Sequence, residues 1–261
     1  MPDFPTSGEM AARRVLEECG LDDPTELPMK EIILGRKAFY QEIPLNGKDG
    51  EIVSFGRRSV ITINSSIRPL ARKRFAAAHE LGHFEMHRDL TKIFLDTNYE
   101  MSNWCEQGGL EREANEFAAE FLMPSALFYE ECKGMKFGPL VIDHLAHRFQ
   151  VSKMAALLHF VSKGNHPLCV VYCKSNRLKW WKMSPQFEYY PKFIQYAHPP
   201  VESLTYKLFM TRNDSFGDGQ EREVLKSTWF ELARSERDEV FYEYCLFSRS
   251  YDYSISVLWE E

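Results

Sequence analysis

The sequence lacks the features of a membrane or secreted protein. Its 261 residues contain no apolar run of about 18 residues, the length a transmembrane helix needs. The first ten residues, MPDFPTSGEM, have neither a basic start nor the apolar stretch of a secretory signal. The six cysteines are scattered and form no Cys-x-x-Cys pair, which favours free thiols in a reducing compartment. We therefore expect a cytoplasmic protein with no membrane partner.

The chain also lacks an excess of positive charge. Its net charge of −6 argues against binding a nucleic acid or a membrane through its overall field, although local basic patches remain open. Hydrophobic residues at 44% and charged residues at 27% are typical of a globular protein. The length is sufficient for one full domain and a smaller second one.

What the sequence does contain is the pentapeptide HELGH at residues 79–83. On a helix, His79 and His83 lie four residues apart on one face, where both imidazoles can bind a single Zn²⁺. Glu80 between them can take a proton from a water molecule at the metal, which is the arrangement of a zinc protease. His87 continues the series but lies two turns from His79, too far to bind the same ion. We expect it beside the site or on the substrate side.

A third zinc ligand is expected on the next predicted helix, which reads LEREANEFAAEFLMP over residues 110–124. Glu111 and Glu113 are two residues apart, hence about 200° apart around a helix, so only one can face the metal. Glu113 lies closer to the packing face that includes Ala114 and Phe117. We therefore predict Glu113 as the ligand and Glu111 as a solvated side chain.

HELGH followed by this helix is very similar to the ImmA/IrrE family of bacterial metallopeptidases. The second motif matches as EAN, FAA and LMP at residues 113–115, 117–119 and 122–124. The resemblance covers roughly residues 59–125. It implies His79, His83 and Glu113 as zinc ligands and Glu80 as the base. It also implies an unusual substrate class: helix-turn-helix repressors that are cut to switch on stress, mobile-element or defence genes.

Cys105 lies in the loop between the second histidine and Glu113, eight residues before that glutamate. A thiolate is a better zinc ligand than water, so Cys105 in the open position would be an inhibitory fourth ligand whose release activates the enzyme. The alternative is a small apolar side chain in a loop, the usual role of an unpaired cysteine.

The predicted fold class is α+β, with a zincin-like metallopeptidase domain over residues 1–164. A small antiparallel sheet is expected from strands at residues 37–43, 51–55 and 59–64. We consider residues 59–64 as an edge strand that could hold an extended substrate, or as an ordinary packing strand. Two helices over residues 139–163, broken at 151–152, resemble a helix-turn-helix. The second has only Lys153 and Lys163 as basic residues, so packing is favoured over DNA binding.

Residues 165–261 are predicted to form a C-terminal domain of mixed α/β type with a sensor or regulatory role. By resemblance to longer family members it could be GAF-like. Within it, residues 174–192 combine cations with aromatic rings, as a surface for single-stranded nucleic acid requires. The alternative is a hairpin with one aromatic face in the core. The candidate ligand-binding residues are Arg177, Lys179, Trp180, Trp181 and Lys182.

The leading hypothesis is therefore a regulated zinc endopeptidase that cleaves a helix-turn-helix repressor. Single-stranded DNA at the C-terminal domain is a candidate activator. The competing hypothesis is a DNA-binding transcription regulator whose zincin fold is not catalytic. The intact Glu80 favours the enzyme, because a purely structural remnant would have no need of a general base.

Overall fold

The computed structural model describes residues 5–56, 58–88, 93–94, 109–192, 195–211, 221–249 and 251–260. They form two compact units. Unit 1 comprises Met1–Glu131 and His144–Ala156, and unit 2 comprises Cys132–Asp143 and Leu157–Glu261. This division differs from the predicted boundary at residue 164, because residues 132–163 contribute to both units. The domain boundary stays a prediction.

Unit 1 begins with α1 (Ser7–Cys19) and α2 (Met29–Gly35). Thr6 and Glu9 form a capping box at the start of α1. Gly20 ends the helix in the left-handed conformation, at a φ of 64°. Because Thr6 is the cap, the Ser7 hydroxyl is available for a bond to another helix.

The sheet of unit 1 is mixed rather than antiparallel, which corrects the predicted architecture. Its strands lie in the order β1-β3-β2-β4, and β1 is parallel to β3. Because β3 lies between β1 and β2, it cannot be the substrate-holding edge considered for residues 59–64. The strands are β1 (Phe39–Ile43), β2 (Gly50–Phe55), β3 (Arg58–Asn64) and β4 (Ile93–Phe94).

Two helices carry the chemistry of unit 1, namely α3 (Leu70–Met86) and α4 (Gly109–Leu122). They approach closely at Gly82, where an added Cβ would lie 3.1 Å from the Phe117 ring. The small residues of α3 thus bring α4 within reach of the HELGH segment. Helix α5 (Ser125–Cys132) follows directly.

The predicted helix pair is present as α6 (Pro139–Arg148) and α7 (Lys153–Lys163), joined by four residues. Gln150 in this connection has a φ of 53°. Helix α7 is buried continuously from Met154 to Val161. A recognition helix needs an exposed face to enter a DNA groove, so this burial favours the packing interpretation.

Unit 2 contains a five-stranded antiparallel sheet in the order β6-β5-β9-β8-β7. Residues 222–229 form a short strand followed by a single helical turn. Helix α8 packs against β8 and β9. The GAF-like assignment stays a prediction. The elements are β5 (Cys169–Lys174), β6 (Arg177–Met183), α8 (Leu204–Thr211), β7 (Arg222–Leu225), α9 (Lys226–Trp229), β8 (Val240–Ser248) and β9 (Tyr253–Trp259).

Two expectations about the whole chain concern membranes and cysteines. Among the helices that the structure describes, none has the length and apolar character needed to cross a membrane. The five cysteines within the described ranges form no disulfide.

Candidate metal centre

Helix α3 brings the two motif histidines together in the interior of unit 1. The Nε2 atoms of His79 and His83 lie 3.1 Å apart, and both side chains are buried. The alanine run before His79 is a strong helix former, which supports the spacing of one turn. The predicted pairing of the two imidazoles on one face is therefore what the structure contains.

Glu111 is the carboxylate that joins this pair. Its Oε2 lies 3.3 Å from Nε2 of His79, and its Oε1 lies 3.3 Å from Nε2 of His83. One nitrogen or oxygen atom from each of the three residues falls within 4.8 Å of the others. Burial opposes ionisation of Glu111, but the two imidazoles beside it outweigh burial and keep its pKa below the ordinary value.

For the third ligand, this geometry favours Glu111 over Glu113, whose assignment as a ligand stays a prediction. Its Oε2 lies 2.9 Å from Nε2 of His87, and its Oε1 accepts a hydrogen bond from Ser7 Oγ at 2.6 Å. The reason is helical phase, because Glu113 is rotated about 200° from Glu111 around α4. It therefore faces α1 and the last turn of α3, whereas Glu111 faces the histidine pair.

Asn115 orients the first histidine from the same face of α4. Its Oδ1 lies 2.9 Å from Nδ1 of His79, and an amide oxygen can only accept, so Nδ1 carries the proton. The Nε2 of His79 then presents its lone pair toward Glu111. Burial lowers the pKa of His83, which favours the neutral imidazole that metal binding requires.

Glu80 is buried beside the first residue of β2. A Cβ added to Gly50 would lie 2.9 Å from both Cγ and Oε1 of Glu80. Only glycine fits at this position without moving the carboxylate. The sheet thus sets where the carboxylate of the predicted general base lies.

These residues fit a zinc ion by the chemistry of their donors. Two imidazole nitrogens and one carboxylate form a ligand set used by catalytic zinc, with a further position left for water or substrate. Within the described ranges, His79, His83 and Glu111 are the one group of three or more such residues placed to hold a metal.

The candidate nucleic-acid residues of unit 2 do not form an open stacking surface. Trp180 is buried and stacks on Tyr172 at a centroid distance of 5.0 Å, and Trp181 packs against the core of the sheet. The cations make internal contacts as well. Lys179 lies over the Tyr196 ring, Arg177 donates to the carbonyl of Tyr196, and Lys182 donates to the carbonyl of Leu158. The alternative of a hairpin with an aromatic face in the core describes this segment better.

Cys105 lies outside the described residues, so its role as a fourth ligand stays a prediction. Three residues that lie at this site were not predicted there from the sequence: Glu111, Asn115 and Gly50. A signal for the first two was present, because they are four residues apart and share one face of α4. Gly50 had no signal, since its contact with Glu80 depends on how β2 meets α3.

Comparison with known proteins finds a match over the segment that contains this site. Residues 38–160 match the IrrE N-terminal-like domain family, Peptidase M78, and this segment contains HELGH and all of α4. Over this segment, the chain is similar to the IrrE-like metallopeptidases.

One similar relative is the radiation response metalloprotease IrrE of Deinococcus radiodurans. It is 31% identical over 133 residues, which are 50% of this chain and 39% of the relative. The match thus spans well under half of that protein. A solved structure of a Mycobacterium tuberculosis transcriptional regulator has a TM-score of 0.62 at 14% identity, over 98% of this chain and 77% of that one. This second likeness concerns the fold alone.

Proposed function

We propose that the protein is a zinc-dependent endopeptidase that cleaves a helix-turn-helix transcriptional repressor. The observation that carries the proposal is the convergence of His79, His83 and Glu111. Glu80 directly follows His79 on α3. The match of residues 38–160 to a metallopeptidase family model supports the reaction type. The presence of Glu80 supports hydrolysis rather than a structural metal site.

In this proposal His79, His83 and Glu111 hold the zinc ion. When bound, zinc supplies Lewis-acid stabilisation of the developing oxyanion and a lower pKa for water. Glu80 accepts the proton of the attacking water and returns it to the leaving amine, as a general base and then acid. Asn115 keeps His79 in the tautomer that binds metal. Gly50 leaves room for the Glu80 carboxylate.

The repressor as substrate rests on the family resemblance and on the relative's description as a radiation response metalloprotease. A response to stress by proteolysis requires a regulatory target, and a repressor is such a target. The scattered cysteines are consistent with this reaction in the cytoplasm.

Unit 2 is proposed as the regulatory part of the protein. A five-stranded sheet with its own aromatic core is a suitable scaffold for a sensor. Single-stranded nucleic acid is a weaker candidate signal than the sequence suggested, because Trp180 is buried. An inhibitory role of Cys105 remains compatible with regulation of the zinc site.

A second candidate is a DNA-binding regulator without proteolysis. The fold likeness to a transcriptional regulator over 98% of the chain favours it. The burial of α7 counts against it, because that helix would have to read the groove.

The test is incubation of the zinc-loaded protein with the repressor encoded nearby, followed by mass spectrometry of the fragments. The expected result is one cleavage by the wild type and none by Glu80→Gln, with zinc retained by both. A repressor left intact, together with tight binding of duplex DNA, would favour the second candidate instead.

A further inference from the structure

A chain of hydrogen bonds continues behind His83, away from Glu111. The Nδ1 atoms of His83 and His87 lie 3.0 Å apart, and Nε2 of His87 lies 2.9 Å from Oε2 of Glu113. The other oxygen of Glu113 accepts from the Ser7 hydroxyl at 2.6 Å. Both histidines are buried, so the chain runs from the surface of α1 to the centre of the site.

The chemistry of each atom sets the direction of this chain. Oε1 of Glu113 accepts from the Ser7 hydroxyl and its Oε2 lies 2.9 Å from a ring nitrogen of His87, so the carboxylate is the acceptor in both bonds. His87 must then donate from Nε2, and in the neutral ring its Nδ1 accepts. The shared hydrogen between the rings therefore belongs to Nδ1 of His83. This leaves the lone pair of His83 on Nε2, the atom that faces Glu111 and His79.

We propose that Glu113, acting through His87, is a positioning residue that fixes the tautomer and ring orientation of His83 and thereby sets the affinity of the site for zinc. The inference rests on the proposed zinc site and deepens it. Helix α4 would then serve both histidines: Asn115 orients His79 directly, and Glu113 orients His83 through one intervening ring.

The packing of α1 supports this role for Glu113. A Cβ added to Gly8 would lie only 2.4 Å from the carbonyl oxygen of Glu113, so the two helices are in close contact here. That approach brings the Ser7 hydroxyl to the carboxylate. The carboxylate is held from both sides, by Ser7 on α1 and by His87 after α3.

The first experiment measures zinc affinity by competition with a chromogenic chelator. Glu113→Ala and His87→Ala should each weaken binding about 10- to 100-fold, as loss of such supporting partners does in other zinc sites. Glu116→Ala is the matched control, because Glu116 lies on the same helix and pairs with Arg112 at 3.7 Å. It should change affinity by less than about twofold.

A second variant separates orientation from general loss of structure. His87→Asn keeps an oxygen acceptor close to the place of Nδ1 but removes the link to Glu113. It should restore part of the affinity lost in His87→Ala. Adding Glu113→Ala to His87→Asn should cost nothing further, because the coupling between the two positions is already broken.

The tautomer itself is read by ¹⁵N NMR of the imidazoles in metal-free Glu111→Ala, from which the carboxylate facing Nε2 of His83 is removed. This variant should show the Nδ1–H form of His83, and adding Glu113→Ala should give a mixture of tautomers. Wild-type affinity in Glu113→Ala and an unchanged His83 signal in the double variant would overturn the inference. The inference would also be overturned if the X-ray absorption spectrum of bound zinc showed one oxygen ligand fewer in Glu113→Ala, because Glu113 would then itself be a ligand.

These readouts do not depend on proteolysis. If zinc affinity and the tautomer respond as expected while no repressor is cut, the proposed function fails and the positioning role stands. If the repressor is cut but Glu113→Ala binds zinc as tightly as the wild type, the positioning role fails alone.

Discussion

Glu111 and Glu113 lie two residues apart on one helix, and their carboxylates contact different histidines. Glu111 reaches Nε2 of both His79 and His83, whereas Glu113 reaches Nε2 of His87. The two acidic residues of the EREAN segment thus have separate proposed roles. Glu111 is a proposed ligand, and Glu113 contacts His87, which in turn contacts the proposed ligand His83. Substitutions at the two positions should therefore differ in their effect on zinc binding.

The first prediction concerns removal of the proposed third ligand. Glu111→Ala should weaken zinc binding by more than about 100-fold, because loss of a direct ligand costs more than loss of a supporting partner. Chelator competition on Glu111→Ala, Glu113→Ala and the control Glu116→Ala ranks their affinities for zinc. Equal affinities for Glu111→Ala and the control would contradict the assignment.

The second prediction concerns the space beside Glu80. Gly50→Ala should lower the rate of proteolysis on the order of 10- to 100-fold, because its Cβ displaces the Glu80 carboxylate from its position. Zinc affinity should stay near that of the wild type, since no ligand moves. Gly35→Ala is the control, because no atom lies within 4 Å of its added Cβ. Full activity in Gly50→Ala would show that Glu80 tolerates the displacement.

The third prediction concerns acid stability of unit 1. Asp23 accepts from Arg148 at 2.7 Å and from the backbone of Thr25 at 2.9 Å. Burial opposes its ionisation, but the Thr25 and Arg148 bonds outweigh burial and lower the pKa of Asp23 below the ordinary 3.8. The folded state therefore binds fewer protons at this group than the unfolded state. Its stabilisation is complete above about pH 5 and is lost as pH falls through the lowered value.

Accordingly, Asp23→Asn should lower the free energy of unfolding by about 1 kcal/mol at pH 7 and flatten its decline in acid. Asp22→Asn, at the exposed neighbouring position, should do neither. Urea unfolding between about pH 3 and pH 7 measures both effects. If the free energy of unfolding of Asp23→Asn fell with decreasing pH as steeply as that of the wild type, this contribution of Asp23 would be ruled out.

The fourth prediction concerns Trp180 in unit 2. Trp180→Ala should destabilise the protein by about 3 kcal/mol, because the ring is buried and stacks on Tyr172. Tyr190→Ala, at an exposed ring, should change stability by less than about 0.5 kcal/mol. If Trp180 were instead a stacking platform, its loss would leave stability intact and weaken binding of a labelled single-stranded oligonucleotide.

The sequence predicted the elements of the site better than their phase. HELGH and its helix follow from a local sequence pattern. The length of α4 and its spacing from HELGH could also be predicted from the sequence. The sequence favoured Glu113 where the geometry favours Glu111, because the packing face of α4 is shared between α1 and α3. A sequence pattern shows that a helix has an apolar face but does not show which neighbour each part of that face meets.

Longer-range relations were harder to predict for the same reason. β1 pairs in parallel with β3, although β2 lies between them along the chain. No turn motif in the sequence predicts such a pairing. The sequence offered Trp180 and Trp181 as candidate ligand-binding residues, but Trp180 is buried and Trp181 is half-buried. These outcomes depend on tertiary packing, which periodicity does not encode.

The binding of one zinc ion by His79, His83 and Glu111 underlies both the proposed reaction and the role of Glu113. It can be tested by an anomalous difference map from crystals of the zinc-loaded protein, with data collected on both sides of the zinc edge. We expect a single peak enclosed by Nε2 of the two histidines and the carboxylate of Glu111, with Glu113 on His87. A peak bound by Glu113, or no peak at the histidine pair, would contradict this assignment.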